Sequence, residues 1–141
     1  MAFELRSLSD ELVYVRWNRM PSREDGIRYI AELKQLLDQA PHPLYILSDL
    51  KRGHLSDAQT LQELSRLTSH PSWGAGLAFA SGKISQPVKE IFVGLFVSLS
   101  RDKSRTGKMA GSLDEALEYL EEVKPGVTKS VDWKAVLELF A

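Results

Sequence analysis

Asp49, His54 and Asp57 stand close together, between an apolar run ending at Ser48-Asp49 and a helical pattern opening near Ser56. A histidine flanked by carboxylates has the donors for proton transfer or metal binding. Here the set stops short of both: no second histidine–carboxylate pair completes it. His42 and His70 lie in separate loops, each beside a proline, so all three histidines read as loop residues. Without cysteine, thiolate nucleophiles, disulfides and cysteine-ligated metals are excluded. Gly53-His54-Leu55-Ser56-Asp57 lacks the spacing of a nucleophile elbow. Thr106-Gly107-Lys108 lacks the earlier glycine of a phosphate loop, and Gly74-Ala75-Gly76 is no dinucleotide fingerprint. No catalytic residue, metal or cofactor is expected.

What remains is binding. Open α/β sheets place ligands beyond the carboxyl ends of their strands, and the loop with Asp49, Lys51, Arg52, His54 and Asp57 follows such a strand end. Arg101, Lys103, Arg105 and Lys108 form a candidate anion patch, with a solvated loop as the plainer reading. Eighteen basic against nineteen acidic side chains leave a net charge of -1, too balanced for a nucleic-acid surface.

The elements that position these residues follow from pattern. Phe3 to Leu8 alternates, and Leu12 to Trp17 is β-branched and aromatic, which predicts a hairpin turning at Ser9-Asp10-Glu11. Ser22 and Asp25 open a helix with Ile27, Ile30, Leu33 and Leu37 on its apolar stripe, widened by Tyr29 and Leu36. Pro43 to Leu47 reads as a strand buried on both faces. Ser56 and Gln59 form a capping box before Leu61, Leu64 and Leu67, with Ala58 in phase. Trp73 to Ala80 is a second buried strand. A helix over 86–99 is apolar nearly all round, through Val88, Ile91, Phe92, Val93, Leu95, Phe96, Val97 and Leu99, so something must cover its outer side. Thr106 to Met109 is an edge strand. Ser112 and Glu115 cap a helix, and a last helix carries Val131, Ala135, Leu137, Leu139 and Phe140.

The order β-β-α-β-α-β-α-β-α plus a carboxy-terminal helix means an α/β fold with a mostly parallel mixed sheet. The chain's 141 residues, 43% hydrophobic, suit one α/β domain over 1–124 with a helical extension over 125–141. Glu4 and Asp10 interrupt any secretory signal, and the longest strong apolar run, Ile91 to Val97, is too short for a transmembrane segment. A soluble, cytoplasmic protein is expected. Phe92, Val93, Phe96 and Val97, with Trp133, Leu137 and Phe140, form a candidate interface, so a homodimer is expected, with the terminal helix folding over its own chain or crossing to the partner.

Leu44-Tyr-Ile-Leu-Ser-Asp49 followed by His54-Leu-Ser-Asp-Ala-Gln59, the strand Gly74 to Ala80, and Arg105 to Leu120 together resemble the SpoIIAA-like branch of the STAS superfamily, also described as STAS/Sec14-like. The resemblance spans Phe3 to Glu122. It implies a non-catalytic regulatory module that binds a protein partner. In anti-anti-sigma relatives a kinase phosphorylates a serine at the start of the helix after the third strand. The matching neighbourhood is Asp49 to Gln59, which lacks the usual Asp-Ser-Ser-Gly or Asp-Ser-Thr-Gly pattern. Ser56 falls one or two positions early and is the candidate phosphoacceptor, near amides that suit an anion. The Sec14-like side implies an alternative, a lipid or hydrophobic-ligand pocket between the 86–99 helix and the sheet, with room left by Gly94. An uncharacterised enzyme ranks third.

Overall fold

A computed structural model describes residues 2–53, 57–79, 108–110 and 112–139. The helix read over 86–99, with Phe92, Val93, Phe96 and Val97, lies outside the described residues, as do His54, Ser56, Arg101, Lys103, Arg105 and Phe140.

The amino-terminal alternation forms β1 (Phe3–Ser7), antiparallel to β2 (Leu12–Trp17), with Phe3 opposite Trp17 and Ser7 opposite Val13. Ser9 shapes the turn: its hydroxyl oxygen accepts from the N–H groups of Glu11 and Leu12, at 3.3 and 3.1 Å. Helix α1 (Arg23–Gln39) starts with a complete capping box between Ser22 and Asp25. Its buried stripe is Gly26, Tyr29, Leu33 and Leu37, flanked by Ile30 and Leu36. Ile27, expected on that stripe, is half exposed. The reason is Gly26. A Cβ there would stand 2.7 Å from the Thr60 hydroxyl of the next helix, so α1 turns its smallest residue to that neighbour and its isoleucine outward.

Strand β3 (Leu44–Asp49), helix α2 (Ala58–Leu67) and strand β4 (Trp73–Phe79) follow, then β5 (Lys108–Ala110), α3 (Leu113–Val123) and α4 (Trp133–Leu139). The sheet order is β1-β2-β3-β4-β5, with β2 through β5 mutually parallel. Helix α2 buries Leu61, Leu64 and Leu67 as expected, together with Thr60 and Ser65, whereas Ala58 is exposed. Close approach explains the glycines of β4: a Cβ on Gly76 would meet the Trp73 ring at 2.6 Å.

Two apolar layers flank the sheet. Val13, Val15, Trp17, Leu44 and Ile46 face α1 and α2, which contribute Tyr29, Leu33, Leu37, Leu61 and Leu64. Successive parallel crossovers running in one direction place their helices on one face. Leu12, Tyr14, Leu47, Leu77 and Phe79 point the other way, onto Ala116 and Leu120 of α3, Val127, and Val136 of α4. β2 is buried at every position because it sits inside the sheet with apolar clusters on both faces.

The carboxy-terminal segment is held within its own chain. Trp133 packs against the second layer, and its indole N–H donates to the Thr128 carbonyl at 3.0 Å. Val136 of α4 is buried, and Ala135, expected among the apolar positions, is exposed. Nothing is described of the Leu137 side chain. The Glu121 carboxylate accepts from the backbone N–H of Gly126 (2.9 Å) and of Thr128 (2.8 Å), and from the Thr128 hydroxyl (2.7 Å). Gly126 carries the positive φ of 88° that this turn needs.

The bond from Thr128 N–H, ahead of that from Gly126, holds the Glu121 carboxyl below the usual range. A depressed folded-state value means stabilisation present above the ordinary carboxylate range and lost as pH falls through the folded value. Glu121→Gln is therefore expected to lower the thermal midpoint at neutral pH and to flatten its acid dependence. A variant with the full wild-type acid slope would place that slope elsewhere.

Candidate functional site

The parallel register assembles a polar group at the carboxyl ends of β2 and β3. Arg16 lies beside Asp49, and Asp49 beside Phe79, in one row across three strands. Two residues back along β2 is Tyr14, on the same face. Asp49 is only 2% exposed, so its carboxylate needs partners. The Tyr14 hydroxyl donates to Oδ2 at 2.9 Å, and the Lys51 backbone N–H donates to Oδ1 at 3.0 Å. The Lys51 ammonium stands 3.5 Å from Oδ2 and 5.9 Å from the centre of the Phe79 ring, within range of a cation–π contact. Burial, then the Asp49 charge and hydrogen bond, push the Tyr14 phenol well above its ordinary value, and Arg16 partly opposes them. Tyr14 is thus a permanent donor at neutral pH.

These bonds set the start of the β3–α2 connection. Asp49 bonding the N–H two residues on is an Asx-type turn, and Leu50 is buried in the first layer. At Gly53 the connection runs against the segment that follows β2: a Cβ there would overlap the Arg19 carbonyl oxygen. Only glycine fits that approach. Between these anchors Arg52 is exposed and Lys51 half-buried.

The far end is anchored too. Ser56 was expected to cap the second helix; the cap is Asp57, whose side chain accepts from Gln59 N–H at 3.1 Å. Asp57 also accepts from the Thr60 hydroxyl (2.7 Å) and from Arg23 (3.2 Å). Arg23 further reaches Thr60 at 2.6 Å and Glu63 at 3.2 Å. The Thr60 bond, first, holds the Asp57 carboxyl below its ordinary value. Asp57 is therefore a member of the α1–α2 contact. A cap needs its acceptor immediately before the first helical turn, and with α2 starting at Ala58 that position is Asp57.

Of the loop residues singled out from sequence, Asp49, Lys51 and Arg52 come together at one strand end, while Asp57 joins α1. Lys108 belongs to β5, paired with Leu77. Tyr14, Arg16 and Arg23 were not anticipated. Tyr14 and Arg16 share the even positions of β2, which marks a common face; their meeting with Asp49 depends on strand register. A separate cluster ties the opposite end of the sheet. His70 Nδ1 accepts from Ser72 N–H at 3.0 Å, which assigns the ring proton to Nε2, 2.7 Å from Asp38. Lys34 holds the same carboxylate at 2.8 Å. Nε2 thus joins α1 to the loop before β4, while Nδ1 braces that loop internally.

No family profile and no curated protein matches the sequence. Among solved structures, the chain is similar to an uncharacterized protein from the DUF3478 family with a SpoIIAA-like fold, from Shewanella loihica PV-4. The two are 15% identical with a TM-score of 0.56, over 84% of this chain and 92% of that one. The architecture is SpoIIAA-like, as the sequence motifs implied. No helix among the described residues is long and apolar enough to cross a membrane.

Proposed function

We propose that this SpoIIAA-like chain is a non-catalytic binding module that meets a regulatory protein partner through the β3–α2 connection, in the cytoplasm. The observation that carries the reading is the anchoring of that connection: Asp49 fixes the Lys51 backbone, and Gly53 seats against Arg19. Backbone held in this way from Asp49 to Gly53 loses little conformational entropy on binding. The Asp49 carboxylate is sealed under Tyr14 and Lys51, an arrangement that shapes a loop more readily than it moves protons. Lys51 and Arg52 give the shoulder positive charge, suited to an acidic partner surface. Ser56 belongs to the same proposal as a phosphoacceptor. A phosphate one residue before the Asp57 cap would add negative charge next to it in sequence, which is expected to weaken the start of α2.

The test uses charge reversal. A partner captured from the source cells is purified and titrated against the wild-type chain and against Lys51→Glu/Arg52→Glu. About tenfold or greater weakening is the expected result, with circular dichroism showing both chains folded at the titration temperature. Equal affinity of the two chains would overturn the assignment of the loop. Native mass spectrometry of the freshly purified chain tests the class of function itself. A ligand-free spectrum is expected, and a bound acyl molecule would overturn the reading in favour of the hydrophobic-ligand carrier.

A further inference from the structure

Strand β1 is the edge of the sheet, and among the described residues no strand pairs with its outer side. Its backbone direction follows from the flanking bonds: Asn18 N–H donates to the Ala2 carbonyl at 2.7 Å, and Leu8 N–H to the Leu12 carbonyl at 2.8 Å. Hydrogen-bonded pairs alternate along an antiparallel ladder. Ala2, Glu4, Arg6 and Leu8 therefore turn their backbone groups toward β2. Phe3, Leu5 and Ser7 turn theirs outward, three donors and three acceptors spaced symmetrically about Leu5.

We propose that β1 pairs antiparallel with β1 of a second copy of this chain, about a two-fold axis at Leu5, joining two five-stranded sheets into one. In that register Leu5 faces Leu5 of the second copy and Phe3 faces Ser7, in hydrogen-bonded pairs. Glu4 then faces Arg6 of the second copy, twice by symmetry. These are the non-hydrogen-bonded pairs, where side chains across a ladder approach most closely. Both residues are exposed, and their charges are opposite. An edge strand with two like charges at these positions would repel its own copy, the usual protection of an edge; this one is self-complementary. Leu5, half-buried against the first apolar layer, would meet its counterpart and lose its remaining exposure. The interface differs from the expected one through the 86–99 and carboxy-terminal helices, and it does not depend on the partner reading above.

A five-residue strand spans about 17 Å, a small interface for a tight dimer, so the association is concentration-dependent and weakened by salt. Sedimentation equilibrium of the intact chain across a concentration series is expected to show a weight-average mass rising from 15.8 kDa toward twice that value. Glu4→Arg alone and Arg6→Glu alone should each weaken association by about tenfold or more. The double variant Glu4→Arg/Arg6→Glu should restore it, because the pairs are reversed but intact. Mixing the two single variants should likewise yield a heterodimer, since each then presents the charge that the other lacks. A wild-type chain monomeric throughout the series overturns the proposal. So does a dimer indifferent to both single substitutions, which would place the contact on another face. Circular dichroism of each variant confirms that the exposed substitutions leave the fold intact.

Discussion

Trp17→Ala is expected to remove about 3–5 kcal/mol of folding stability, the range for deleting a large aromatic side chain from a packed core. Trp17 is 2% exposed and closes β2 against two other elements. Its ring lies 5.2 Å from Phe3 of β1 and 5.0 Å from Tyr29 of α1, and those two rings are 5.8 Å apart. The triangle joins the hairpin to the first helix, so its loss touches three elements at once. Against a typical stability of about 5–15 kcal/mol, that leaves little margin. Denaturant titration should show a lower midpoint at an unchanged slope, because the surface exposed on unfolding barely changes. Trp17→Phe keeps an aromatic ring in the triangle and should cost less than half as much. A loss below about 1 kcal/mol for the alanine variant would mean that the neighbours collapse into the space and that the triangle is not a structural joint.

Much of this architecture could be read from the chain. The hairpin was carried by alternation in Phe3–Ser7 and β-branching in Leu12–Trp17, and α1 by Ser22 and Asp25, whose capping bonds both form. Local chemistry decides such elements. The misplacements have a different origin. Ile27 fits the apolar stripe by spacing alone; the rotation of α1 was decided by Gly26 meeting Thr60, a contact between two helices through residues 34 apart in sequence. Ser56 and Asp57 are both good caps by residue type. Arg23 and Thr60, reaching Asp57 from two directions, favour the aspartate.

The site was legible in part for the same reason. Asp49, at the end of an apolar run, marks a strand end without the register. That Arg16 stands next to it, and that Tyr14 supplies its hydrogen bond, follows only from parallel pairing of β2 with β3. Parallel pairing is set by the crossover helix, which places no residue signature on either strand.

Tyr14→Phe is expected to cost about 1.5–3 kcal/mol, since the lost bond is to a buried charged group. Asp49→Ala should cost more, about 2–5 kcal/mol, because it leaves both the Tyr14 hydroxyl and the Lys51 N–H without their acceptor. The double variant should fall short of the sum by about 0.5–3 kcal/mol, the signature of direct coupling; strict additivity would show that the bond contributes nothing. The pH dependence supplies an independent check. A phenol raised above its ordinary value stabilises the fold fully below that value, and this contribution is lost as pH rises beyond it toward the folded-state value. Tyr14→Phe should therefore make the alkaline loss of stability shallower. Some slope should remain from Tyr29, whose phenol burial also raises despite its bond to Ser48. Asp49→Asn separates geometry from charge, because the amide oxygen can still accept from Lys51 N–H while the attraction for the Lys51 ammonium is gone. If the loop serves as a preformed shoulder, that variant should retain partner affinity better than Asp49→Ala at matched stability. Equal loss in both would mean that the carboxylate charge, and the lysine position it sets, is what the partner reads.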